Sequence, residues 1–174
     1  MTEGAIRISL VIPTYNEAAL LPRLLDTVEV ARDRYRHGAE EVEVIVADNA
    51  STDATAGIAE RRGCTVVRVE ERRIASARNG GAQRAGGTIL AFVDADSQIN
   101  AESFNVIDEA IASGKVVGGA TGVRLERWSL GIAATYALFM PLVWLFRMDT
   151  GVVFCRRSDF EEIGGYDERR FFGE

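Results

Sequence analysis

The sequence predicts an α/β domain whose mainly parallel sheet is covered by helices. Short apolar runs rich in β-branched residues alternate with amphipathic stretches at helical spacing, which is the pattern of consecutive βαβ units. The chain has 174 residues, 47% of them apolar and 26% charged, which is enough for one hydrophobic core. It contains no internal repeat and no low-complexity segment. We therefore expect one folded domain over residues 1–174.

The first predicted elements lie near the N-terminus. A strand covers residues 6–12, and Pro22 after it is tolerated only in the first turn of a helix. The second strand, residues 42–47, leads into small polar residues that can cap a helix, which Gly63 then ends. The apolar residues of the first helix lie at the spacing of one face: Leu20, Leu21, Leu24, Leu25 and Val28.

The middle of the chain continues the alternation. Residues 64–69 are the third predicted strand, and a helix over residues 74–85 ends at Gly86. Residues 88–93 form a continuous apolar run that is typical of a buried central strand. This run delivers two aspartates at its carboxyl end, so it is the element most directly connected with chemistry.

In the last third of the chain the sequence predicts a helix, two strands and a short helix, in that order. The long helix covers residues 101–113, a strand follows over 116–123, and residues 151–155 are a further strand. Ser158, with Glu161 three residues later, is a capping-box signature for a short helix.

Composition excludes several classes of function. The net charge is −6 and there is no basic run, so the chain lacks the electrostatic footprint of a nucleic-acid partner. Lys115 is the single lysine and is followed by Val116, which excludes a phosphate-binding P-loop. No two glycines are separated by one residue, so the core of a dinucleotide-binding fingerprint is missing. We expect neither P-loop chemistry nor NAD or FAD binding.

Histidine and cysteine chemistry is also poorly supported. His37 is the single histidine and lies in a charged stretch typical of a solvated loop, so a Ser-His-Asp triad lacks its base. Cys64 and Cys155 form no CxxC pair, and each lies in an apolar run, which predicts buried thiols in a reducing compartment. The N-terminus shows no secretory signal pattern. We expect a cytoplasmic protein.

Polar residues cluster where the predicted strands end, and in an open α/β sheet this edge binds ligands. Asp94 and Asp96 follow the buried strand one residue apart, so they can share a hard cation such as Mg²⁺ or Mn²⁺. A turn with a helix-capping aspartate is the alternative interpretation of this triplet. The other polar segments at this edge are residues 13–17, 48–51 and 78–81.

Six short segments together resemble a known family. They are LVIPTYNE at 10–17, DNASTD at 48–53, ARN at 77–79, FVDAD at 92–96, GGYDE at 164–168 and FGE at 172–174. Their conjunction resembles glycosyltransferase family 2, from about Ser9 to the last residue. The resemblance implies the GT-A fold, with helices on both faces of the sheet. It also implies a Rossmann-like nucleotide-binding half over about 1–97 and an acceptor-side half over about 98–174.

The resemblance further implies an inverting transfer of a sugar from a nucleotide diphosphate sugar. A divalent cation, Mg²⁺ or Mn²⁺, held by Asp96 would stabilise the leaving group, and Asp94 would position the ribose or a metal-bound water. The implied nucleotide-sugar-binding residues are Pro13, Thr14, Tyr15, Glu17, Asp48, Asn49, Ser51, Arg78, Asp94, Ala95 and Asp96.

Three of these residues have an alternative structural interpretation. Thr14 and Asn49, with Tyr15, would hold the base and ribose, but threonine and asparagine here can also satisfy turn backbone. Arg78 would offset phosphate or carboxylate charge, or it makes a surface ion pair. Asn49 stands where many family members have aspartate, so the identity of the base, uracil or another, stays open.

The general base is the main departure from the family pattern. In the family it is the aspartate after the glutamate of a Glu-Asp motif, and the sequence given ends at Glu174. An inverting transfer needs a carboxylate that takes the proton of the acceptor hydroxyl. We expect this aspartate to follow Glu174 in a longer chain, and Glu174 itself is the alternative base.

Residues 130–146 form an uncharged stretch that contains Pro141 and lies between Arg127 and Arg147. It is shorter than the roughly 20 residues of a transmembrane helix. One interpretation is a helix packed on the sheet or in an oligomer interface. The other is peripheral contact with the inner face of a membrane, which would bring the site to a lipid-linked acceptor.

The predicted function is therefore a metal-dependent inverting glycosyltransferase that acts on an unidentified sugar, glycan, lipid-linked or small-molecule acceptor. One alternative is a polyprenyl-phosphate sugar synthase. The other is a nucleotide-sugar-binding domain without turnover, which the missing base suggests.

Overall fold

The computed structural model describes residues 5–122, 135 and 151–169. In this part of the chain one six-stranded sheet has the order β3-β2-β1-β4-β6-β5. The strands β1, β2, β3 and β4 are parallel, whereas β6 is antiparallel to both of its neighbours. Their bounds are β1 Ile8–Thr14, β2 Val42–Asp48, β3 Thr65–Arg68, β4 Ile89–Phe92, β5 Gly118–Ala120 and β6 Val153–Arg156.

Helices cover both faces of this sheet. The described helices are α1 Leu21–Asp33, α2 Thr55–Arg61, α3 Ile74–Arg84, α4 Ser103–Ala112 and α5 Arg157–Glu162, with a 3₁₀ turn at Ala39–Glu41. One apolar cluster joins the sheet to α1, α2 and α4, and a second joins its other face to α3 and α5. The predicted fold class, a mainly parallel sheet with helices on both faces, is confirmed.

Strand β1 lies at the centre of the core. All seven of its residues are buried, and successive side chains point to opposite faces, so Leu10 and Ile12 join one cluster and Val11 the other. The apolar face of α1 packs against the first cluster as predicted, with the exception of Leu20, which precedes the helix and is 36% exposed. Pro22 lies in the first turn of α1, where its missing N–H costs no helical hydrogen bond.

Most predicted elements are present, and the differences lie at their ends. The first strand runs from Ile8 to Thr14 rather than over residues 6–12, because its pairing with β2 continues to the Asp48 position. The strand expected over 116–123 is reduced to Gly118–Ala120. Each of these changes moves an element end by a few residues and leaves its type as predicted.

The predicted capping box was wrong. Helix α5 begins at Arg157, directly after β6, so Ser158 lies inside the first turn and makes no capping hydrogen bond. Glu161 instead accepts a hydrogen bond from Arg157 Nε at 2.7 Å, one helical turn away. The tight strand-to-helix junction therefore moved the helix start one residue ahead of the serine.

The strand order determines where a ligand can bind. The chain moves from β1 outward through β2 to β3, then returns to the other side of β1 as β4. At such a switch point the loops after the two central strands diverge and leave a crevice at their carboxyl ends. Residues 13–17, 48–51 and 94–96 lie at or just after the carboxyl ends of β1, β2 and β4. Glu174, the FGE segment at 172–174 and the 130–146 stretch, apart from residue 135, lie outside the described residues.

No helix within the described ranges is long and apolar enough to cross a membrane.

Candidate active site

A cleft of about 490 Å³ opens at the carboxyl ends of β1, β2 and β4. The sequence predicted most of its lining: Pro13, Thr14, Tyr15, Glu17, Asn49, Asp94, Ala95 and Asp96. Arg72, Ile74 and Ala77 complete the lining from the start of α3 and the segment before it. Asp48, Ser51 and Arg78, which were also predicted, are not among the lining residues. The loops of separate βαβ units are thus brought together around one cleft.

Ser51 supports the cleft by joining two loops. Its Oγ accepts a hydrogen bond from the backbone N–H of Asn16 at 2.9 Å, and Asn16 Oδ1 accepts one from the N–H of Thr52 at 2.8 Å. Asn16 has a φ of +56°, a left-handed conformation that asparagine tolerates better than most residues. The sequence showed Asn16 as part of a motif, and only the structure shows this bridging role.

Asp53 strengthens the same junction. Its carboxylate accepts hydrogen bonds from the hydroxyl and backbone N–H of Thr55 and, at 3.1 Å, from the N–H of Ala18. These bonds, that from the Thr55 hydroxyl above all, lower the pKa of Asp53. Asp53 therefore remains charged and holds the loop after β1 against the loop after β2.

Asp48 and Asn49 place buried oxygen atoms beneath the cleft. Asp48 is fully buried, and Arg68 Nε is 3.8 Å from its Oδ2. Asn49 is 7% exposed, and its Nδ2 donates to the carbonyl of Arg73 at 3.0 Å. In the described part of the structure no hydrogen bond reaches Asn49 Oδ1 or either carboxylate oxygen of Asp48. A buried acceptor without a donor is costly, so Asn49 Oδ1 at the cleft wall is suited to a ligand N–H or O–H.

Three carboxylates give the cleft its charge. Asp94 and Asp96 are exposed on either side of the buried Ala95, and Glu17 lies across from them. The pKa of Glu17 is raised, first by burial and then by the negative charges of Asp96, Asp53 and Asp94. The cleft thus accumulates negative charge that a bound cation would offset.

The carboxylates fit a divalent cation that arrives with a diphosphate. Among residues 5–122 and 151–169 no three His, Cys, Asp or Glu side chains are arranged to hold a metal by themselves. Magnesium at nucleotide sites normally uses one or two carboxylates and takes further oxygen ligands from phosphate and water. Asp94 and Asp96 supply such a pair of hard oxygen donors on the exposed floor of the cleft.

Arg78 is a buried residue that contacts Asp94 of the cleft. It is 9% exposed, and its Nη2 lies 3.1 Å from Asp94 Oδ1. Its guanidinium carbon is 5.2 Å from the centre of the Tyr166 ring. The charge of Arg78 is therefore directed at Asp94 from a buried position.

Arg72 is the charged residue among the three lining residues that the sequence did not assign to the site. Its guanidinium carbon lies 5.2 Å from the centre of the Tyr15 ring, and Tyr15 is 45% exposed at the cleft mouth. Arg72 and Arg73 lie in the polar segment between β3 and α3. Their sequence positions alone do not indicate which of them lines a cleft and which is solvated. The contact appears only when the sheet brings the segment after β3 close to the loop after β1, with β2 between the two strands.

The histidine and the cysteines lie away from the cleft lining. His37 Nε2 is 3.1 Å from Asp108 Oδ2, near Arg7, which precedes β1 at the opposite edge of the sheet. Both cysteines are free thiols and partly buried. Burial raises the pKa of Cys64, and raises that of Cys155 to about 11. Neither thiol has the low pKa of a nucleophile.

A known protein family matches this chain over most of its length. The statistical model of glycosyl transferase family 2 matches residues 9–163, which is most of the chain. The chain belongs to glycosyl transferase family 2. The matched range includes every strand of the sheet except the first residue of β1, and all residues that line the cleft.

Curated relatives in this family carry different acceptors in their names. Validoxylamine A glucosyltransferase of Streptomyces hygroscopicus is 44% identical over 93 residues, which cover 50% of this chain and 21% of the relative. Undecaprenyl-phosphate 4-deoxy-4-formamido-L-arabinose transferase of Pseudomonas paraeruginosa is 35% identical over 120 residues, covering 65% and 34% respectively. The family 2 chain thus spans about a fifth to a third of the length of these relatives.

Solved structures of glycosyltransferases share the fold. The mannosyltransferase PcManGT of Pyrobaculum calidifontis, in complex with GDP-Man and Mn²⁺, has a TM-score of 0.70 at 24% identity and covers 92% of this chain and 47% of its own. Staphylococcus aureus TarS 1-349, in complex with UDP-GlcNAc, has a TM-score of 0.66 at 22% identity and covers 92% and 48%. These likenesses confirm the predicted GT-A fold.

Proposed function

We propose that this chain transfers a sugar, with inversion, from a nucleoside diphosphate sugar bound in the cleft together with a divalent cation. The observation that carries the proposal is the convergence of Asp94, Asp96 and the buried Asn49 on one cleft at the switch point of the sheet. Every lining residue falls between Pro13 and Asp96. This supports a nucleotide-binding half over about residues 1–97 and an acceptor-side half after it.

The wall residues would recognise the nucleoside. Asn49 Oδ1 would accept a hydrogen bond from an N–H of the base or from a ribose hydroxyl, because its own amide N–H₂ is engaged by the Arg73 carbonyl. Tyr15 offers an exposed ring face to the base, and Thr14 lies beside it at the end of β1. Pro13, Glu17 and Ala95 shape the remaining wall.

The floor of the cleft would hold the diphosphate. When bound, Mg²⁺ or Mn²⁺ acts as a Lewis acid that offsets the charge developing on the leaving diphosphate. Asp96 would hold the cation, and Asp94, oriented by Arg78, would hold a ribose hydroxyl or a metal-bound water. Arg72 at the mouth provides a positive charge for phosphate oxygens.

A donor panel tests the proposal without knowledge of the acceptor. We expect UDP, GDP, CDP or dTDP to raise the melting temperature in the presence of Mn²⁺, by about 5 °C or more at a hundredfold excess over the dissociation constant. The double change Asp94→Asn and Asp96→Asn should abolish the Mn²⁺-dependent part of the shift. Asp33→Asn, an exposed aspartate at the end of α1, is the matched control and should behave as the unchanged chain.

Two results would contradict the proposal. One is the absence of a shift with any of the four nucleotides at millimolar concentration. The other is a shift of the same size with and without Mn²⁺, which would leave a nucleotide site but no role for the carboxylate pair.

Turnover separates a transferase from a binding domain. An inverting transferase needs a general base, which we place at Glu174 or at an aspartate that follows it. Release of nucleoside diphosphate from UDP-glucose, UDP-GlcNAc or GDP-mannose with Mn²⁺ would support the transferase. Binding of the same donors without release would favour the nucleotide-sugar-binding alternative.

A polyprenyl-phosphate acceptor is the second candidate, because specific relatives favour it. The Pseudomonas enzyme named above and the dolichyl-phosphate beta-glucosyltransferase of Drosophila melanogaster, 31% identical over 118 residues, are named for lipid phosphate acceptors. Such an acceptor would place this chain in the cytoplasm, with residues 130–146 in peripheral contact with the inner face of the membrane. Donor consumption stimulated by vesicles containing undecaprenyl phosphate, and not by vesicles lacking it, would support this candidate. Equal rates with both vesicles would exclude it.

A further inference from the structure

Helix α3 separates the cleft from a second structural feature, the loop Gly164–Glu168. Ile74 and Ala77 line the cleft. Ser76 and Asn79, on another side of the same helix, donate hydrogen bonds to Glu168 of the loop. Because residues three apart lie on the same side of a helix, these are two distinct rows. One side of α3 therefore lines the cleft, and another side contacts the loop Gly164–Glu168, which is not part of the cleft lining.

Asn79 fixes the loop by a reciprocal pair of hydrogen bonds. Its Nδ2 donates to the carbonyl of Tyr166 at 3.0 Å, and its Oδ1 accepts from the N–H of Tyr166 at 2.9 Å. The same Nδ2 donates to Glu168 Oε1 at 2.6 Å. Gly165 allows this close approach, since it has a φ of +76° and a Cβ there would lie 2.7 Å from Asn79 Oδ1. Asn79 is 9% exposed, so this side-chain clasp is largely protected from water.

The clasp determines where the Tyr166 ring lies. The ring packs edge-to-face against Phe92, the last residue of β4, with ring centres 5.4 Å apart. On the same ring lies the Arg78 guanidinium, 5.2 Å from its centre, which is within the range of a cation–π interaction. Arg78 in turn reaches Asp94 Oδ1 at 3.1 Å. A continuous set of contacts thus runs from Asn79 to the floor of the cleft.

We propose that Asn79 and Tyr166 are positioning residues that orient the Asp94 carboxylate through Arg78. This inference rests on the proposed function, because it concerns the readiness of Asp94 for a cation and nucleotide. No described residue of the loop lines the cleft, so the loop acts through Arg78 and not by touching the nucleotide. Loss of the Tyr166 ring would leave the charge of Arg78 in place but remove the surface that holds it. Asp94 would then lose a fixed partner, and cation binding would have to order it.

Replacement of Tyr166 tests the ring contact. Tyr166→Leu keeps apolar bulk against Phe92 and removes the aromatic face, whereas Tyr166→Phe keeps the face and is the matched control. With the nucleoside diphosphate that gives the largest thermal shift, we expect the Leu variant to raise the half-saturating Mn²⁺ concentration about threefold to tenfold. The Phe variant should change it less than about twofold. Nucleotide affinity measured without Mn²⁺ should fall by a smaller factor than this in the Leu variant and stay unchanged in the Phe variant.

A merely structural role for Tyr166 would give a different result. In that case the Leu variant would lose metal-free nucleotide affinity by the same factor, or both variants would need the same Mn²⁺ concentration as the unchanged chain. Either result would overturn the proposal while leaving the proposed function intact. If the unchanged chain shows no Mn²⁺-dependent nucleotide binding, the proposed function fails first, and the positioning role fails with it.

A second pair of variants tests the clasp without any metal. Asn79→Asp removes the amide donor and places a carboxylate beside Glu168, and adding Glu168→Gln returns an amide donor from the other side. The Nε–H signal of Arg78 in the NMR spectrum of the metal-free protein reports the nearby Tyr166 ring. We expect this signal to move in Asn79→Asp and to return towards its original position in the double variant. An Arg78 signal that is the same in all three proteins would overturn the proposal.

Discussion

At the scale of single residues, Glu17 shows how the cleft changes a side chain. Burial and the neighbouring Asp96, Asp53 and Asp94 raise its pKa above the ordinary value of 4.5. Folding therefore favours the protonated form of this carboxyl. The corresponding stability is present below pH 4.5 and is lost as the pH rises through the raised pKa.

Glu17→Gln mimics the protonated form and should stabilise the protein near neutral pH. Because Glu17 is partly exposed and water screens its charge, we expect a gain of about 0.5 kcal/mol in the free energy of unfolding. Denaturant melts at neutral and acidic pH would measure it, and the gain should shrink as the pH falls through the raised pKa and be absent below pH 4.5. The exposed Glu60→Gln is the control. A gain that is independent of pH would contradict this explanation.

Ala50 is strained in the loop after β2. Its φ is +56°, a left-handed conformation in which a Cβ costs about 1 to 2 kcal/mol, and glycine avoids that cost. The greater freedom of unfolded glycine offsets about 0.5 to 1 kcal/mol. We therefore expect Ala50→Gly to stabilise the chain by about 0.5 kcal/mol in denaturant unfolding. A loss of stability would show that the loop does not hold this strain.

Single residues were predictable where a motif and a strand end coincide. Asp94, Asp96 and Asn49 follow the carboxyl ends of buried strands, so the sequence placed them at one edge of the sheet. Arg72 was missed because its role depends on the distance between two loops. Arg78 was expected to offset phosphate or carboxylate charge or to make a surface ion pair; its contact with the Asp94 carboxylate from a buried position is a tertiary feature that the ARN motif does not encode.

At the scale of elements, the end of α2 is the clearest case of sequence determining structure. Gly63 has a φ of +72°, its N–H donates to the carbonyl of Glu60, and the N–H of Cys64 donates to that of Ala59. This pair of bonds is the Schellman arrangement, which closes the carbonyl end of a helix. The prediction that Gly63 ends the helix is confirmed.

Two glycines of this region should respond oppositely to alanine. Gly63→Ala has free space for its Cβ, so its cost is purely conformational, and we expect a loss of about 1 kcal/mol. Gly57→Ala, inside α2, meets only the flexible end of Arg61 and should gain about 0.5 to 1 kcal/mol. Urea unfolding of both variants would measure the two changes. Changes of the same sign would contradict the assigned end of α2.

At the scale of the whole molecule, a polar cluster lies near the amino-terminal ends of the parallel strands, whereas the cleft lies at their carboxyl ends. Asp108 on α4 is 3% exposed and accepts hydrogen bonds from Arg7 Nε and from His37, the latter at 3.1 Å. The cluster ties α4 and the loop after α1 to the start of β1. Its position predicts a role in stability that is separate from the site.

Asp108→Asn should therefore weaken the fold and leave ligand binding alone. Removing one charge from a buried, hydrogen-bonded group costs about 2 kcal/mol. We expect that loss in urea unfolding, with unchanged nucleotide affinity in the folded protein and no loss in Asp33→Asn. A fall in nucleotide affinity would show that the two edges of the sheet are coupled.

The overall architecture was predictable because alternation of strands and helices restricts a chain to few arrangements. The direction of β6 was not. An apolar run of four residues has no feature that separates a parallel from an antiparallel strand, and β6 pairs with β4 although 60 residues of the chain lie between them. The mixed edge of the sheet is thus a product of long-range packing that local patterns do not record.

The antiparallel strand β6 also brings the chain back to the end of β5. Gly122, after β5, and Gly151, before β6, lie so close that a Cβ on Gly151 would collide with the carbonyl oxygen of Gly122, and the N–H of Thr121 donates to the carbonyl of Val152. Gly122 and Gly151 each lie two residues beyond the last pairs of their strands, where Val153 of β6 pairs with Ala120 of β5 and with Phe92 of β4. Gly122 and Gly151 are therefore neighbours in space, although 28 residues of the chain lie between them. Because the entropic cost of closing a loop rises only slowly with its length, a connection of another length between these two glycines would cost the sheet little stability.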